Sequence, residues 1–247
     1  MCGIAGYISR TGLLDPAVLE QMQAKVTHRG PDGEGSWTDP VAGLAFAHTR
    51  LKIQDLTDAA YQPMRSADGG VVLIFNGEIY NFQQLREELR ATGSAFKSTG
   101  DTEVLLELCR RYPDFSFLPR LNGMFAFAAW HTATRTLTLV RDRTGVKPLL
   151  YAPLTGGLAF ASEMAALRPA MSGSTIDPRA VVQLLTLGFI AAPKTIFHRV
   201  CKLRPGHLLR YRDDGMTVEK WAADPPTLPG TDDFHEACEQ LRGLVAD

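Results

Sequence analysis

Four side-chain types that could together attack and hold a free amino-acid amide stand far apart in this 247-residue chain: the Cys2 thiol, the Arg50 guanidinium, the Asn76 carboxamide with Gly77 after it, and the Asp101 carboxylate. Cys2 is the most informative. Enzymes that trim the initiator methionine act when the second residue is small, so the mature chain is expected to begin with Cys2. Thiol and α-amine would then sit on one residue. An α-amine titrates at about 7.7–8.0 and a thiol at about 8.5. Near neutral pH the amine is partly unprotonated and can take the thiol proton, directly or through a water. Nucleophile and base then belong to the same residue, and no histidine is required. Gly3 adds no bulk beside the thiol, and Ile4, Ala5 and Tyr7 would anchor the strand presenting it. On position alone Cys2 reads as an ordinary cysteine near a frayed terminus, and the case for chemistry turns on whether the rest of the sequence supplies a matching site. A lipoprotein cysteine is not expected, because MCGIAGYISR has no apolar leader.

Attack on a carboxamide carbon builds a tetrahedral oxyanion that needs preorganised donors. Asn76-Gly77, after the apolar run VVLIF, offers a side-chain amide and an unshielded backbone N–H. Alone, Asn-Gly reads as a turn. Arg50 could clamp a carboxylate with two parallel hydrogen bonds, and Asp101 could receive an ammonium. Singly these read as solvated charges or helix caps. Taken together they supply nucleophile, oxyanion hole, carboxylate binder and ammonium binder.

These groups need a scaffold. Gly3 to Ser9 reads as a short buried strand, and Asp15-Pro16 as an N-cap followed by proline at the first helical position. Leu19, Met22 and Val26 share one face of the helix that follows. His28 to Gly33 has turn chemistry throughout and is expected to be a loop. Gly43 to His48 alternates as a strand, and Val71 to Phe75 suits a strand buried on both faces that breaks at Asn76-Gly77-Glu78. Helices are predicted from about Phe82, with Leu85 and Leu89 inward, and over Asp101 to Arg111. From Met124 onward MFAFAAW, TLTLVRD, PLLYA and GLAFAS read as an antiparallel meander. Asp177-Pro178 opens a helix ending near Gly188. Asp213-Asp214-Gly215 is a turn, Asp224 to Gly230 a linker, and Asp232 to Asp247 an amphipathic helix with Phe234, Cys238, Leu241 and Val245 on one face. Strands interleaved with helices give a layered α+β domain.

The composition sets outer bounds. With 45% hydrophobic residues the chain can form one substantial core. A formal net charge of −1 gives no electrostatic reason to expect nucleic acid or an anionic membrane as partner. No apolar run approaches the roughly 18 residues of a membrane span. The four cysteines, Cys2, Cys109, Cys201 and Cys238, form no CxxC pair, so no metal or disulfide framework is expected and a reducing cytoplasm fits.

MCGIAGYI, HRGPDGEG, AHTRLKIQDL, FNGEIYNFQQLREEL, STGDTEVLLEL, LNGMFAFAAW, RDRTGVKPLLY and FASEMAAL occur in one order. Together they resemble the N-terminal glutaminase domain of glutamine-dependent asparagine synthetases, a branch of the class II, or N-terminal nucleophile, glutamine amidotransferases. The likeness continues through FIAAPKTIFHRVCKLRPGHLLRY to about residue 221. It implies a four-layer αββα sandwich of two antiparallel sheets. It also implies Cys2 as nucleophile with its α-amine as base, and Asn76 and Gly77 as oxyanion donors. Arg50 would hold the glutamine α-carboxylate, Asp101 with Glu78 the α-ammonium, and the backbone around Ile53-Gln54 would line the pocket. Arg29 and the HRGPDG loop match a motif beside the site with no separate role assigned. RDRTGVKPL is expected to be a charged turn that holds the sheet and an interface, and His28 and His48 to be structural.

The chain departs from many relatives at Thr49, where they carry arginine, at Ala60-Tyr61, where they carry Gly-His, and at His131, where aspartate is common. None removes a group assigned to the chemistry. The expected domains are a glutaminase over 2–221 and, over 222–247, a linker plus the opening helix of a synthetase domain not present here. The glutaminase step needs no cofactor, whereas ATP and magnesium belong to the synthetase domain. L-glutamine is the expected substrate and a synthetase domain, in cis or in trans, the expected partner. A homodimer, another ammonia acceptor, and a silent glutamine-sensing domain are alternatives left open by the sequence.

Overall fold

A computed structural model describes residues 1–10, 14–171, 173–224 and 233–246. Among these described residues twelve strands form two antiparallel sheets. The first sheet holds β1 (Gly3–Ser9), β2 (Gly33–Asp39), β3 (Leu44–Arg50), β8 (Leu150–Leu154), β9 (Gly157–Ala161) and β10 (Cys201–Lys202), in the order β10-β8-β9-β1-β3-β2. The second holds β4 (Met64–Arg65), β5 (Val71–Ile79), β6 (Gly123–His131), β7 (Thr136–Arg141), β11 (His207–Arg212) and β12 (Gly215–Lys220), in the order β12-β11-β7-β6-β5-β4. Strand β1 lies between β3 and β9, with Ala5 opposite both Ala47 and Ala161.

Three hydrophobic layers follow from side-chain alternation along the strands. Ile4, Phe46, Ile74, Trp130 and Phe160 meet between the sheets. Helix α1 (Pro16–Ala24) and the short α4 (Met164–Leu167) cover the outer face of the first sheet through Leu19, Met22 and Leu167. Helices α2 (Phe82–Ala91) and α3 (Asp101–Arg111) cover the second through Leu85, Leu89, Leu105 and Cys109. The result is the expected αββα sandwich. No helix among the described residues is long and apolar enough to cross a membrane.

Local chemistry sets the helix ends. The Asp15 carboxylate accepts from Ala17 N at 2.9 Å, with Pro16 opening α1. Asp177 does the same for Arg179 N at the start of α5 (Pro178–Leu187). Gly188 ends α5 at φ 77°, a left-handed cap that a side chain would strain.

The structure corrects four sequence-based expectations. The strand beginning at Val71 does not break at Asn76-Gly77-Glu78 but runs to Ile79, because β6 continues alongside with Gly77 opposite Phe125 and Ile79 opposite Gly123. A Cβ on Gly77 would stand 2.4 Å from Met124 O, so glycine here permits close strand approach rather than a turn. The expected meander is divided: β6 and β7 belong to the second sheet, β8 and β9 to the first. The segment His28 to Gly33 is only partly loop, since Thr27–Arg29 form a 3-10 turn and β2 begins at Gly33. The strand beginning near Gly43 extends to Arg50.

After β12, the Trp221 indole stacks on Phe125 with centroids 6.1 Å apart, and its Nε1 donates to Arg141 O. Helix α6 (Phe234–Ala246) has no buried residue. The linker residues 225–230, and Asp232 and Asp247 at the ends of the predicted helix, lie outside the described residues.

The segment joining β7 to β8 crosses from one sheet to the other around Asp142, which is fully buried. Its carboxylate accepts from the backbone N–H groups of Phe125 at 3.2 Å, Thr144 at 3.1 Å, and Val146 and Lys147 at 3.0 Å. Arg141 binds the carbonyls of Gly145, Lys147 and Leu203. RDRTGVKPL is thus a charged turn that holds sheet strands, as expected, and it is also the crossover between the two sheets, which was not expected. Asp142→Ala would leave these amides without an acceptor in the interior. It is expected to cost roughly 3 kcal/mol or more, lowering Tm by about 6 °C or more. A thermal melt checks this, and an unchanged Tm would contradict it.

Candidate active site

Alternation brings the candidate residues to one place. Cys2 shares the parity of Ile4, and His48 and Arg50 share that of Leu44 and Phe46, so all three face the gap between the sheets. On β5, Asn76 and Glu78 share the parity of Val72 and Ile74 and face the same gap from the other side. All the sequence-predicted residues except Asn76 line one cleft at this end of the sandwich. Asn76 lies just behind it, 1% exposed.

Cys2 is half-buried. Its sulfur contacts the backbone of Leu51, with N–H to Sγ 3.4 Å and Sγ to O 3.7 Å. Burial pushes its thiol pKa up, opposed by the Leu51 N–H, the N-terminal charge and Arg50. Such a thiol is not a spontaneous thiolate, so it needs a base at close range. No histidine among the described residues hydrogen-bonds the sulfur. Arg29, buried on the 3-10 turn, donates from Nε to Cys2 O at 3.0 Å and pairs with Glu163 at 2.8 Å. His28 also reaches Glu163, at 3.1 Å. The HRGPDG loop therefore fixes the backbone of the candidate nucleophile. A Cβ on Gly30 would lie 2.4 Å from Arg50 N, so this loop rests directly on β3.

Opposite stands the free edge of β5. Strand β4 pairs only with Val72 and Leu73. Beyond it, Phe75 N donates to the Gln62 side chain at 2.6 Å and Ile79 N to Asp101 Oδ2 at 2.8 Å. Gly77 lies between them at the same parity, so its N–H also points away from β6. Consistently, Phe125 opposite Gly77 spends its own N–H and C=O on Asp142. No side chain among the described residues accepts from Gly77 N. Asn76 Nδ2 is likewise buried without a partner. Two vacant donors, one backbone and one side chain, thus lie on adjacent residues.

Arg50 ends β3 buried, donating to Thr57 O at 2.9 Å and to Asp55 O. The Asp55 carboxylate folds that loop by accepting from Thr57 N and Thr99 N. Burial opposes its ionisation, but these hydrogen bonds hold its pKa well below the usual range. Asp101 opens α3 and sits beside Glu78, the Gln54 amide contacting both carboxylates. Burial first, and the Glu78 charge second, hold the Asp101 carboxyl up at about 7. Burial also raises Glu78, against the Gln54 hydrogen bond and the charge of Lys147. Among the described residues neither carboxylate forms an ion pair within 4.0 Å. Ile53 lines the rim with its side chain 58% exposed.

Gln62 was not singled out from sequence; its bond to Phe75 joins residues whose proximity only the fold creates. Arg29 and Glu163, 134 residues apart, are the same case. The departures also find structural roles. Thr49 donates to Val26 O at 2.9 Å, and the Tyr61 ring stands 5.1 Å from the Arg50 guanidinium. His131 contacts Cys109 O at 3.0 Å.

The chain is similar in sequence and in fold to known proteins. A family model described as a glutamine amidotransferase domain matches residues 1–222. Asparagine synthetase [glutamine-hydrolyzing] 1 of Bacillus subtilis is 38% identical over 251 residues, a match covering 100% of this chain and 39% of that protein. Asparagine synthetase [glutamine-hydrolyzing] 3 of the same organism is 33% identical, covering 100% of this chain and 40% of the relative. The chain thus spans about two fifths of the length of these relatives. Among solved structures, the glutamine phosphoribosylpyrophosphate amidotransferase from B. subtilis shares the fold, with a TM-score of 0.68 at 23% identity over 90% of this chain and 50% of that one.

The Asp101 environment makes a stability prediction. Its folded pKa of about 7 exceeds the unfolded carboxylate value of about 3.9. Between these the native state binds more protons, so stability falls as pH rises from about 4 to about 7. Asp101→Asn is therefore expected to raise Tm at pH 8 by several degrees, and by much less at pH 4. An equal effect at both pH values would show that the carboxylate is not destabilised by burial.

Proposed function

Because this chain belongs to the glutamine amidotransferase domain family, we propose that it hydrolyses L-glutamine to L-glutamate and ammonia through a γ-glutamyl thioester on Cys2. The observation that carries the reading is the pair of unpartnered donors on adjacent residues, Asn76 Nδ2 on the face of β5 turned to the sheet that presents the thiol and Gly77 N–H on the free edge beside it. With Met1 removed, the α-amine of Cys2 takes the thiol proton as sulfur attacks the γ-carbonyl carbon. The new oxyanion accepts from Asn76 and Gly77. Because these donors are held by the strand, they need no reorganisation when charge appears. Collapse breaks the C–N bond, and the α-ammonium returns its proton to the leaving ammonia. A water activated by the same amine then hydrolyses the thioester, restoring the thiol and releasing glutamate.

Substrate orientation follows from charge. Arg50 has donors beyond the two given to Asp55 and Thr57, and they meet the α-carboxylate. Asp101 and Glu78, with Gln54 between them, receive the α-ammonium, and Ile53 covers the rim. An incoming ammonium favours ionised Asp101 and offsets the cost of burying that charge. This step uses no cofactor. The relatives are named glutamine-hydrolysing asparagine synthetases, and on that likeness the ammonia would pass to aspartate in a synthetase domain, in cis or in trans, that would use ATP and magnesium. A reducing cytoplasm suits the nucleophilic thiol.

Steady-state kinetics with glutamine test these roles. Cys2→Ala is expected to abolish turnover. Asn76→Ala should lower kcat by roughly 10²–10³, the usual loss for one oxyanion donor. Asp101→Ala should mainly raise KM, since its contact is made in ground and transition states alike. Substantial turnover by Cys2→Ala would sink the mechanism, and an unchanged kcat for Asn76→Ala would remove Asn76 from the oxyanion site.

A further inference from the structure

His48 is 1% exposed, yet it lies on the inner face of β3 among apolar side chains. Its Nε2 stands 3.2 Å from Phe75 O, across the gap between the sheets. A carbonyl oxygen only accepts, so Nε2 carries the proton. Burial drives the ring's pKa down to about 3, so the ring is neutral and Nδ1 is an unprotonated acceptor. Nδ1 has no partner among the described residues. A buried histidine using one nitrogen and leaving the other unsatisfied is costly where leucine or phenylalanine would pack. The cost calls for a return elsewhere.

Phe75 O belongs to the peptide that leads into Asn76. Past Leu73 this side of β5 has no neighbouring strand. Phe75 N is held by Gln62 and Phe75 O by His48, so side chains fix both backbone polar groups of the residue before the oxyanion donors. His48 comes from the sheet that carries Cys2. Its hydrogen bond therefore sets the position of the donor strand relative to the nucleophile strand.

Resting on the glutaminase reading above, we infer that His48 is a positioning residue: its Nε2–H bond to Phe75 O, with Gln62 on Phe75 N, sets Asn76 and Gly77 at the distance from Cys2 that the oxyanion requires. Donors displaced by about 1 Å lose on the order of 10²-fold in rate, whereas Arg50, though on β3 with His48, is held by its own bonds to Thr57 O and Asp55 O, and Asp101 stands apart on α3. The signature is a selective loss of transition-state binding.

The test compares the full chain with His48→Leu and His48→Gln, the latter because a glutamine amide reaches about as far as Nε2 and donates. Glutamine kcat and KM are measured, with affinity for L-glutamate and for the γ-aldehyde analogue of glutamine. The Cys2 thiol adds to that aldehyde, forming a C–S bond as the thiol proton passes to the oxygen, and so mimics the tetrahedral state. His48→Leu is expected to lower kcat and weaken aldehyde binding in parallel by about 10–100-fold, leaving glutamate affinity within about threefold. His48→Gln should recover most of both. A kcat for His48→Leu near the wild-type value overturns the inference. So does an equal loss of glutamate and aldehyde binding that glutamine fails to rescue. If His48→Leu does not fold, Gln62→Met, which removes the acceptor for Phe75 N, must show the same split. A wild-type chain with neither turnover nor aldehyde binding overturns the glutaminase reading itself.

Discussion

Strand β4 accompanies β5 only as far as Leu73, and the backbone beyond it must find partners that are not a strand. Buried N–H and C=O groups are rarely left open, so each position on that edge demands a specific partner. Gln62 and His48 serve Phe75, and Asp101 serves Ile79. Gly77 between them is left to bind something else. The short partner strand is what separates a reactive edge from an ordinary one. It also explains why residues from a loop, a facing sheet and a helix converge on a single nine-residue strand.

The same geometry sets the electrostatics. Asp101 is buried to reach Ile79 N, and burial beside Glu78 makes its ionised form expensive. The buried carboxyl is thus kept at a cost in stability, which a cation bound beside it would offset. Arg50 reverses the arrangement, its charge held by backbone carbonyls of the loop that Asp55 folds. Arg50 is thus held in place by the protein itself, whereas Asp101 and Glu78 have no cationic partner within 4.0 Å among the described residues.

Much of this was legible in the sequence because local signals were strong. Asp15-Pro16 and Asp177-Pro178 announced helices, Gly188 closed one, and Cys2, Arg50, Gly77 and Asp101, picked for their chemistry, line one cleft. The Asn-Gly pair nevertheless read as a break, because nothing local says that β6 runs alongside to Gly123. The divided meander failed for a related reason: two hairpins look alike in sequence whichever sheet receives them, and the crossover around Asp142 is visible only through its hydrogen bonds. Gln62, Glu163 and the bond of His48 to Phe75 escaped because each partner lies far along the chain, where spacing carries no signal.

The placement of β1 has a consequence for the order in which the molecule is made. Synthesis delivers Cys2 first, yet one neighbour of its strand, β9, ends at Ala161. Pairings this distant in sequence form late, since the intervening chain must be closed first. The thiol therefore emerges from the ribosome long before its frame exists. Until β9 has followed it, Cys2 lies on a segment whose neighbours are incomplete, and the cleft around the thiol is assembled only once Ala161 has been made.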